Sequence, residues 1–133
     1  MFKKTVQRNL PNKPTVYPLG TVVSTERGYF YLKSNSFRLR ISSKQVLDSW
    51  KFHRIVETSE KAVSNYRIMN KLGFRQGSLI YNIADGKMYL IEDNKRRWIT
   101  SPDALERINA SKDEALTVSN EDIKLHTLGE PLN

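Results

Sequence analysis

Few residues in this 133-residue chain could do chemistry. Its two histidines, His53 and His126, stand alone, with no second ligand at the spacing a metal site needs. Each reads as a helix-face residue. The stretch "GFRQGS" (73–78) has two glycines, but not at the spacing of a phosphate-cradling loop. The acidic pairs Glu92-Asp93 and Glu121-Asp122 fall at an expected turn and an expected helix start, where structure alone accounts for them. Asn109-Ala110-Ser111 matches a glycosylation sequon, but no secretory signal accompanies it. These residues predict no enzymatic activity, no cofactor and no metal. What remains is basic: "FRLR" (37–40) and "KRRW" (95–98), each of which could grip a polyanion or serve as a strand.

Composition narrows the choice. The chain has no cysteine, which excludes a disulfide scaffold and a thiolate metal site. No apolar run approaches the roughly 20 residues of a membrane span. The N-terminus "MFKKTVQRNLPNKP" is basic but has no apolar signal core, so synthesis and assembly in a cytoplasm are expected. The formal net charge of +8 is uneven: residues 1–54 hold eleven Lys/Arg against two acids, Glu26 and Asp48. Such a half attracts polyanions, whether nucleic acid, acidic glycans or an acidic protein face, or is simply a solvated basic surface.

An internal repeat organises the rest. "GTVVSTERGYFYLKSNSFRLRISSKQVLDSW" (20–50) lies over "GSLIYNIADGKMYLIEDNKRRWITSPDALERI" (77–108) with one single-residue gap. This pairs Tyr31-Leu32 with Tyr89-Leu90, Arg38 with Arg96, Ile41 with Ile99, and Leu47 with Leu105. "VSNYRIMNKLG" (63–73) then parallels "VSNEDIKLHTLG" (118–129). Those eight aliphatic and tyrosine positions form the expected repeat core. Within each copy, a glycine-entered strand, a turn at Gly28 or Gly86, a second strand, a polar turn and an alternating third strand make a three-stranded meander. The alternation puts Phe37, Leu39 and Ile41 on one face and Arg38 and Arg40 on the other. In the second copy it separates Lys95, Arg97 and Ile99 from Arg96 and Trp98.

A helix follows each meander, capped by Ser43 in one copy and by Ser101-Pro102-Asp103 in the other. A second helix is expected from near Ser59 or Ser64 to Gly73, with Tyr66, Met69 and Leu72 inward. Its counterpart starts at Ser119, with Asp122 at the capping-box position. The fold class is therefore α+β, with two tandem modules, 20–74 and 75–133, behind an extended basic arm, 1–19.

The second copy resembles the short repeats of bacterial envelope, extracellular and phage virion structural proteins, through "GSLIYNIADGKMYLIEDNKRRWITSPDAL" and the closing "LG". Asn94 stands where that pattern usually has glycine, a place Asn tolerates. The first copy departs further, at Lys33, Ser36, Leu39 and Arg40. The resemblance covers about residues 20–132. It implies a non-enzymatic structural or attachment module, and with no export signal it suggests a virion component, in a phage tail, neck or capsid, assembled in the host cytoplasm. Expected partner-binding residues are Lys3, Lys4, Arg8, Lys13, Tyr17, Arg38, Arg40, Arg97 and Trp98, toward multiple copies of neighbouring subunits. The alternative is nucleic-acid binding by Lys33, Arg38, Arg40 and Lys44 with Tyr29 and Tyr31. Because only Arg38/Arg96 is shared between the copies, a structural strand is the first reading of "KRRW". For the arm, whose three prolines oppose helix and central strand, both a docking segment and a disordered terminus fit.

Overall fold

The computed structural model describes residues 9–52 and 54–133. The chain divides into two compact units, Met1–Leu72 and Gly73–Asn133. Each is built around a five-stranded sheet, with few and short helices, so the class is mixed α+β. Among the described residues, no helix is long and apolar enough to cross a membrane.

In the first unit β1 (Val22–Thr25), β2 (Gly28–Leu32) and β3 (Phe37–Arg40) pair antiparallel in sequence order. Helix α1 (Lys44–Trp50) then leads to β4 (Ile55–Glu57), which runs parallel to β1. A turn leads to β5 (Arg67–Lys71), parallel to β3. The second unit repeats this plan. Strands β6 (Leu79–Asn82), β7 (Lys87–Glu92) and β8 (Lys95–Trp98) are antiparallel. Helix α2 (Pro102–Arg107) and a 3-10 turn at Lys112–Glu114 lead to β9 (Leu116–Val118), parallel to β6. Helix α3 (Asn120–Ile123) precedes β10 (Thr127–Leu128), parallel to β8.

Local chemistry explains several boundaries. Ser43 and Ser101 both cap, accepting from the amides of Val46 and Ala104, so the two helices start at matched places. Ser119 accepts from the Asp122 amide in the same way. The two-residue turn between β7 and β8 needs positive φ at both centres. Asp93 and Asn94 supply it at 54° and 62°, as expected of Asn94 where glycine is usual.

Each sheet packs on both faces. In the first, Val23, Phe30 and Leu32 meet Val63 and Tyr66 on the face away from α1, with Tyr17, Val56 and Ile68 around them. In the second, Leu79 and Ile99 meet Ala104 and Leu105 of α2, with Leu90, Ile108 and Leu132 at the margin. Sheets covered on both sides suit parallel edge strands, because every crossover adds cover to a face.

Several expectations are corrected. The sheets have five strands, because Ile55–Glu57, Arg67–Lys71 and their counterparts add to the edges of each antiparallel trio. The helix expected to close at Gly73 is a turn followed by β5, in which Tyr66 and Leu72 are buried while Met69 is exposed. Strand geometry, with period two, put Met69 outward. Finally, the repeat register slips by one residue in the second strand. Val22 faces Tyr31, whereas its counterpart Leu79 faces Leu90. The partner of Tyr89 is therefore Phe30, and that of Leu90 is Tyr31. The β1–β2 turn spans Glu26 and Arg27, whereas the β6–β7 turn spans Ile83 to Gly86, two residues longer rather than one. A one-residue slip exchanges the faces of a strand, which is why Tyr89 is buried and Tyr31 half-buried. Ile41/Ile99 and Leu47/Leu105 keep their pairing: Ile41 and Ile99 donate to Tyr29 and Met88, and Leu47 and Leu105 follow the matched caps.

The closing parallel is also re-registered. Ser59, not Ser64, matches Ser119, since Ser59 accepts from the Ala62 amide as Ser119 does from Asp122. Tyr66 then matches His126, and Leu72, which donates to Arg40, matches Leu132, which donates to Trp98.

This register makes a stability prediction. Phe30→Ala should cost about 3–5 kcal/mol, the usual range for a buried aromatic, and Tyr31→Ala clearly less. Denaturant unfolding of the two variants decides it; equal losses would contradict the slipped register.

Candidate partner-binding surfaces

The basic residues divide sharply by face. Arg38 is buried on β3, where its Nε donates to the Tyr66 carbonyl at 2.9 Å. Its two terminal nitrogens donate to both oxygens of Glu60 at 2.9 and 2.8 Å, and the guanidinium lies 4.3 Å from the Phe30 ring centre. Thr25 Oγ1 also donates to Glu60, at 2.6 Å. Burial alone would raise the Glu60 pKa, but the Arg38 and Thr25 hydrogen bonds and the positive charge of Arg38 and Arg27 outweigh it and lower it. Arg38, expected as a partner contact, is thus an internal clamp.

Arg96 occupies the same place on β8. Its Nη1 donates to the Ile123 carbonyl at 3.2 Å and also to that of His126, and the guanidinium lies 5.6 Å from the Tyr89 ring centre. Here Tyr89 takes the place of Phe30, and its hydroxyl donates to Asp85 at 2.9 Å. Burial first, then that hydrogen bond and the Asp85 charge, raise the Tyr89 pKa.

The residue that matches between units, Tyr66 or His126, also holds the segment entering each sheet. Tyr66 Oη accepts from the Tyr17 amide at 3.1 Å, and His126 Nε2 accepts from the Phe74 amide at 2.9 Å. Gly73 allows the imidazole that close: a Cβ there would lie 2.7 Å from His126 Cε1. His126 Nδ1 donates to the Asn94 carbonyl at 3.1 Å, so the ring needs its neutral form to accept from Phe74. Burial lowers its pKa, outweighing the Asn94 hydrogen bond; nearby Arg96 lowers it further. His126 is a buried strand-entry anchor and not a helix-face residue. His53 lies outside the described residues.

Tyr17, another expected partner contact, is likewise anchored. Its hydroxyl is 2.7 Å from Thr58 Oγ1, and its ring packs on the first core. Arg97 binds Glu92 at 2.6 Å and donates to the carbonyls of Glu130 and Pro131, pinning the C-terminal residues. Trp98 is exposed on one side, with Lys87 Nζ 4.5 Å from its ring centre. Arg40 stacks 5.0 Å from the Phe30 ring and reaches the Arg27 carbonyl. Lys13 is exposed; Lys3, Lys4 and Arg8 lie outside the described residues.

Free surface in the first unit is both basic and apolar. Lys33, Lys51, Arg54, Lys61, Arg67 and Lys71 are exposed. So are Val16, at 83%, and Leu19, at 62%. Between the 17–22 segment and the 52–56 segment lies an open cleft of about 380 Å³, lined by Tyr17, Pro18, Thr21, Phe52, Arg54 and Val56. Trp50 and Phe52 stack beside it, 6.0 Å apart with ring planes 9° apart, and Tyr31 lies within 6.2 Å of Trp50. Sequence reasoning missed Glu60, Phe74 and the two anchoring rings. The available signal was the aromatic three residues before each module glycine, Tyr17 before Gly20 and Phe74 before Gly77.

The polar anchors predict how acid acts. The lowered His126 pKa means that only the unfolded chain takes up a proton as pH first falls below about 6.5. The second unit should therefore lose stability from that pH downward, and His126→Gln should flatten the loss. The lowered Glu60 pKa gives the first unit stability that is full above about 4.5 and falls away below it. Glu60→Gln should cost about 2–3 kcal/mol at neutral pH, below the usual buried-pair value because Glu60 is partly exposed. Urea unfolding between pH 4 and 8, followed by resonances of each unit, checks both.

Comparison of the chain with protein-family models, with curated proteins and with solved structures gives no match.

Proposed function

We propose that this chain is a non-enzymatic assembly protein that binds an acidic, partly apolar surface of neighbouring subunits, and that its setting is a phage virion. The observation that carries the binding reading is the cleft between residues 17–22 and 52–56. Arg54 sits at its wall, Val16 and Leu19 lie exposed in the segment that forms one side, and the cleft belongs to the strongly basic half of the chain. A monomer gains nothing from presenting large apolar side chains to water beside unpaired cations, whereas a protein interface uses both. The N-terminal residues 1–19 act as a docking arm in this reading: the 15–19 stretch is pinned to the module through Thr15, which donates to Ala62, and through Tyr17. The virion setting rests on the resemblance of the "GSLIYNIADGKMYLIEDNKRRWIT" repeat to structural proteins of such particles.

The Trp50–Phe52 stack beside Lys51 and Arg54 favours a second reading, single-stranded nucleic acid, in which bases stack on the rings and phosphates meet the cations. Salt separates the two, since phosphate contacts give binding that falls steeply with ionic strength.

Two exposed substitutions test the assembly reading. Arg54→Glu and Val16→Asp should each leave stability within about 0.5 kcal/mol, as surface changes do. Each should sharply reduce co-sedimentation of the chain with assembled particles. Normal incorporation of both variants would refute the cleft as the docking surface, and recovery of the wild-type chain only as a free nucleic-acid complex would refute the assembly reading.

A further inference from the structure

The second unit is a built-in control for the first, because matched caps and paired strands align the two position by position. By strand register Tyr31 meets Leu90. Counted from the capping serines, Ser43 and Ser101, Trp50 meets Ile108 and Phe52 meets Ala110. Counted back from the edge strands, Arg54 meets Glu114, since Val56 pairs with Val23 as Leu116 pairs with Ile80. Three aromatic rings and a cation in the first unit thus stand where the second has three aliphatic side chains and an acid.

The aliphatic set shows what the fold needs there. Leu90, Ile108 and Ala110 are half-buried against the second core, and the three rings of the first unit are half-buried too. Covering that face of a sheet therefore takes no aromatic. The acid likewise serves its own unit: Glu114 accepts from the Ser111 amide at 2.8 Å and closes the 3-10 turn. Arg54, by contrast, is exposed on the cleft wall. What the first unit adds is flat ring surface joined to a cation, and both reach the same cleft. Phe52 lines it, Trp50 stacks on Phe52, and the Tyr31 ring lies 6.1 Å from that of Phe52. Tyr31 Oη borders Gly20, also in the lining, 3.8 Å from where a Cβ would stand.

We propose that this cleft takes an aromatic side chain flanked by carboxylates, carried on an exposed segment of a neighbouring subunit. The proposal rests on the assembly reading and names what the partner presents. Rings already held in place make offset or edge-on contacts that favour a ring over an aliphatic side chain. Arg54 at the wall favours a carboxylate beside that ring. The lining also decides against a nucleic-acid strand. Among its described residues Arg54 alone is charged, and Pro18, Val22 and Val56 are apolar, whereas a phosphate backbone draws on cations along its track.

The indole N–H resonances of the two tryptophans in the full chain, Trp50 and Trp98, read the site and a control. Trp50→Ile identifies the Trp50 signal by its loss. Titration with an end-blocked Glu-Phe-Glu peptide should shift Trp50 saturably and leave Trp98 in place. The midpoint should lie about tenfold or more below that of Glu-Ala-Glu, the factor that burying one ring supplies, and Lys-Phe-Lys should do nothing. In the particle assay Trp50→Ile should incorporate poorly. An unmoved Trp50, equal shifts of both indoles, equal midpoints with and without the ring, or normal incorporation of Trp50→Ile would overturn the proposal. So would tighter binding of oligothymidylate, which assigns the cleft to a nucleic-acid strand, or a Trp50 shift with rising concentration of the chain alone, which assigns it to a second copy. If the peptide leaves Trp50 unmoved while Arg54→Glu still blocks co-sedimentation, the ring pocket fails and the assembly reading stands. A saturable shift together with normal incorporation of Arg54→Glu and Val16→Asp reverses that outcome: the pocket stands and the assembly reading fails.

Discussion

A charged guanidinium in the middle of a small sheet must be satisfied, and the architecture of both units follows from how this is done. Arg38 and Arg96 lie on the third strand and donate to the carbonyl of Tyr66 or His126, the residue just before the fifth strand. That bond fixes where the returning chain turns, and so sets the fifth strand parallel to the third. The side chain of the same residue accepts from the backbone entering the first strand, at Tyr17 or Phe74. One residue therefore ties together the entry, the centre and the exit of each unit, in chains too short to gain much from core burial alone.

Given that shared frame, the differences between units are chemical rather than architectural. Replacing the Tyr66 hydroxyl with the His126 imidazole preserves an acceptor of similar reach but makes it titratable. Replacing Phe30 with Tyr89 adds a hydroxyl, which the longer turn answers with Asp85. Asn120 puts an amide where the first unit has Glu60, the carboxylate that holds Arg38. Arg38 is thus paired with a carboxylate of its own unit, while Arg96 donates to the carbonyls of Ile123 and His126 and Arg97 to that of Glu130. Polar groups inside small cores have to be satisfied completely to stabilise.

Much of this was legible from sequence because it is local. Alternation gave the strand faces of "FRLR" and "KRRW", serine followed by an apolar run gave the caps of α1 and α2, and Asn94 gave the turn. The parallel edge strands were not legible: Ile55–Glu57 and Leu116–Val118 are three residues each, too short for a period, and their pairing partners lie across a helix. Nor was the register of β2 against β7, because the dipeptide Tyr-Leu occurs in both copies on opposite faces. Two compensating changes of turn length hid the slip from a one-gap alignment. The reading of "KRRW" as strand before grip agrees with where its residues go: Arg96 inward, Arg97 to the tail, Trp98 against Lys87. The reading of Arg38 as a surface contact failed because a lone arginine does not reveal its acid when that acid, Glu60, is more than twenty residues away and in a turn.

The sheet edges constrain how such a chain can associate. Strands β4, β9 and β10 have two or three residues each, which offers little backbone to a new strand. Strand β5 is longer, but it bulges between its pairings with Arg38 and Arg40, and it exposes Arg67 and Lys71. Bulges and edge cations oppose edge-to-edge pairing between copies, so an assembly grown by strand addition would meet like charge at each step. The same cations remain attractive to an acidic side-chain surface. Repulsion between identical edges and attraction to an unlike, acidic face are therefore two consequences of one charge distribution.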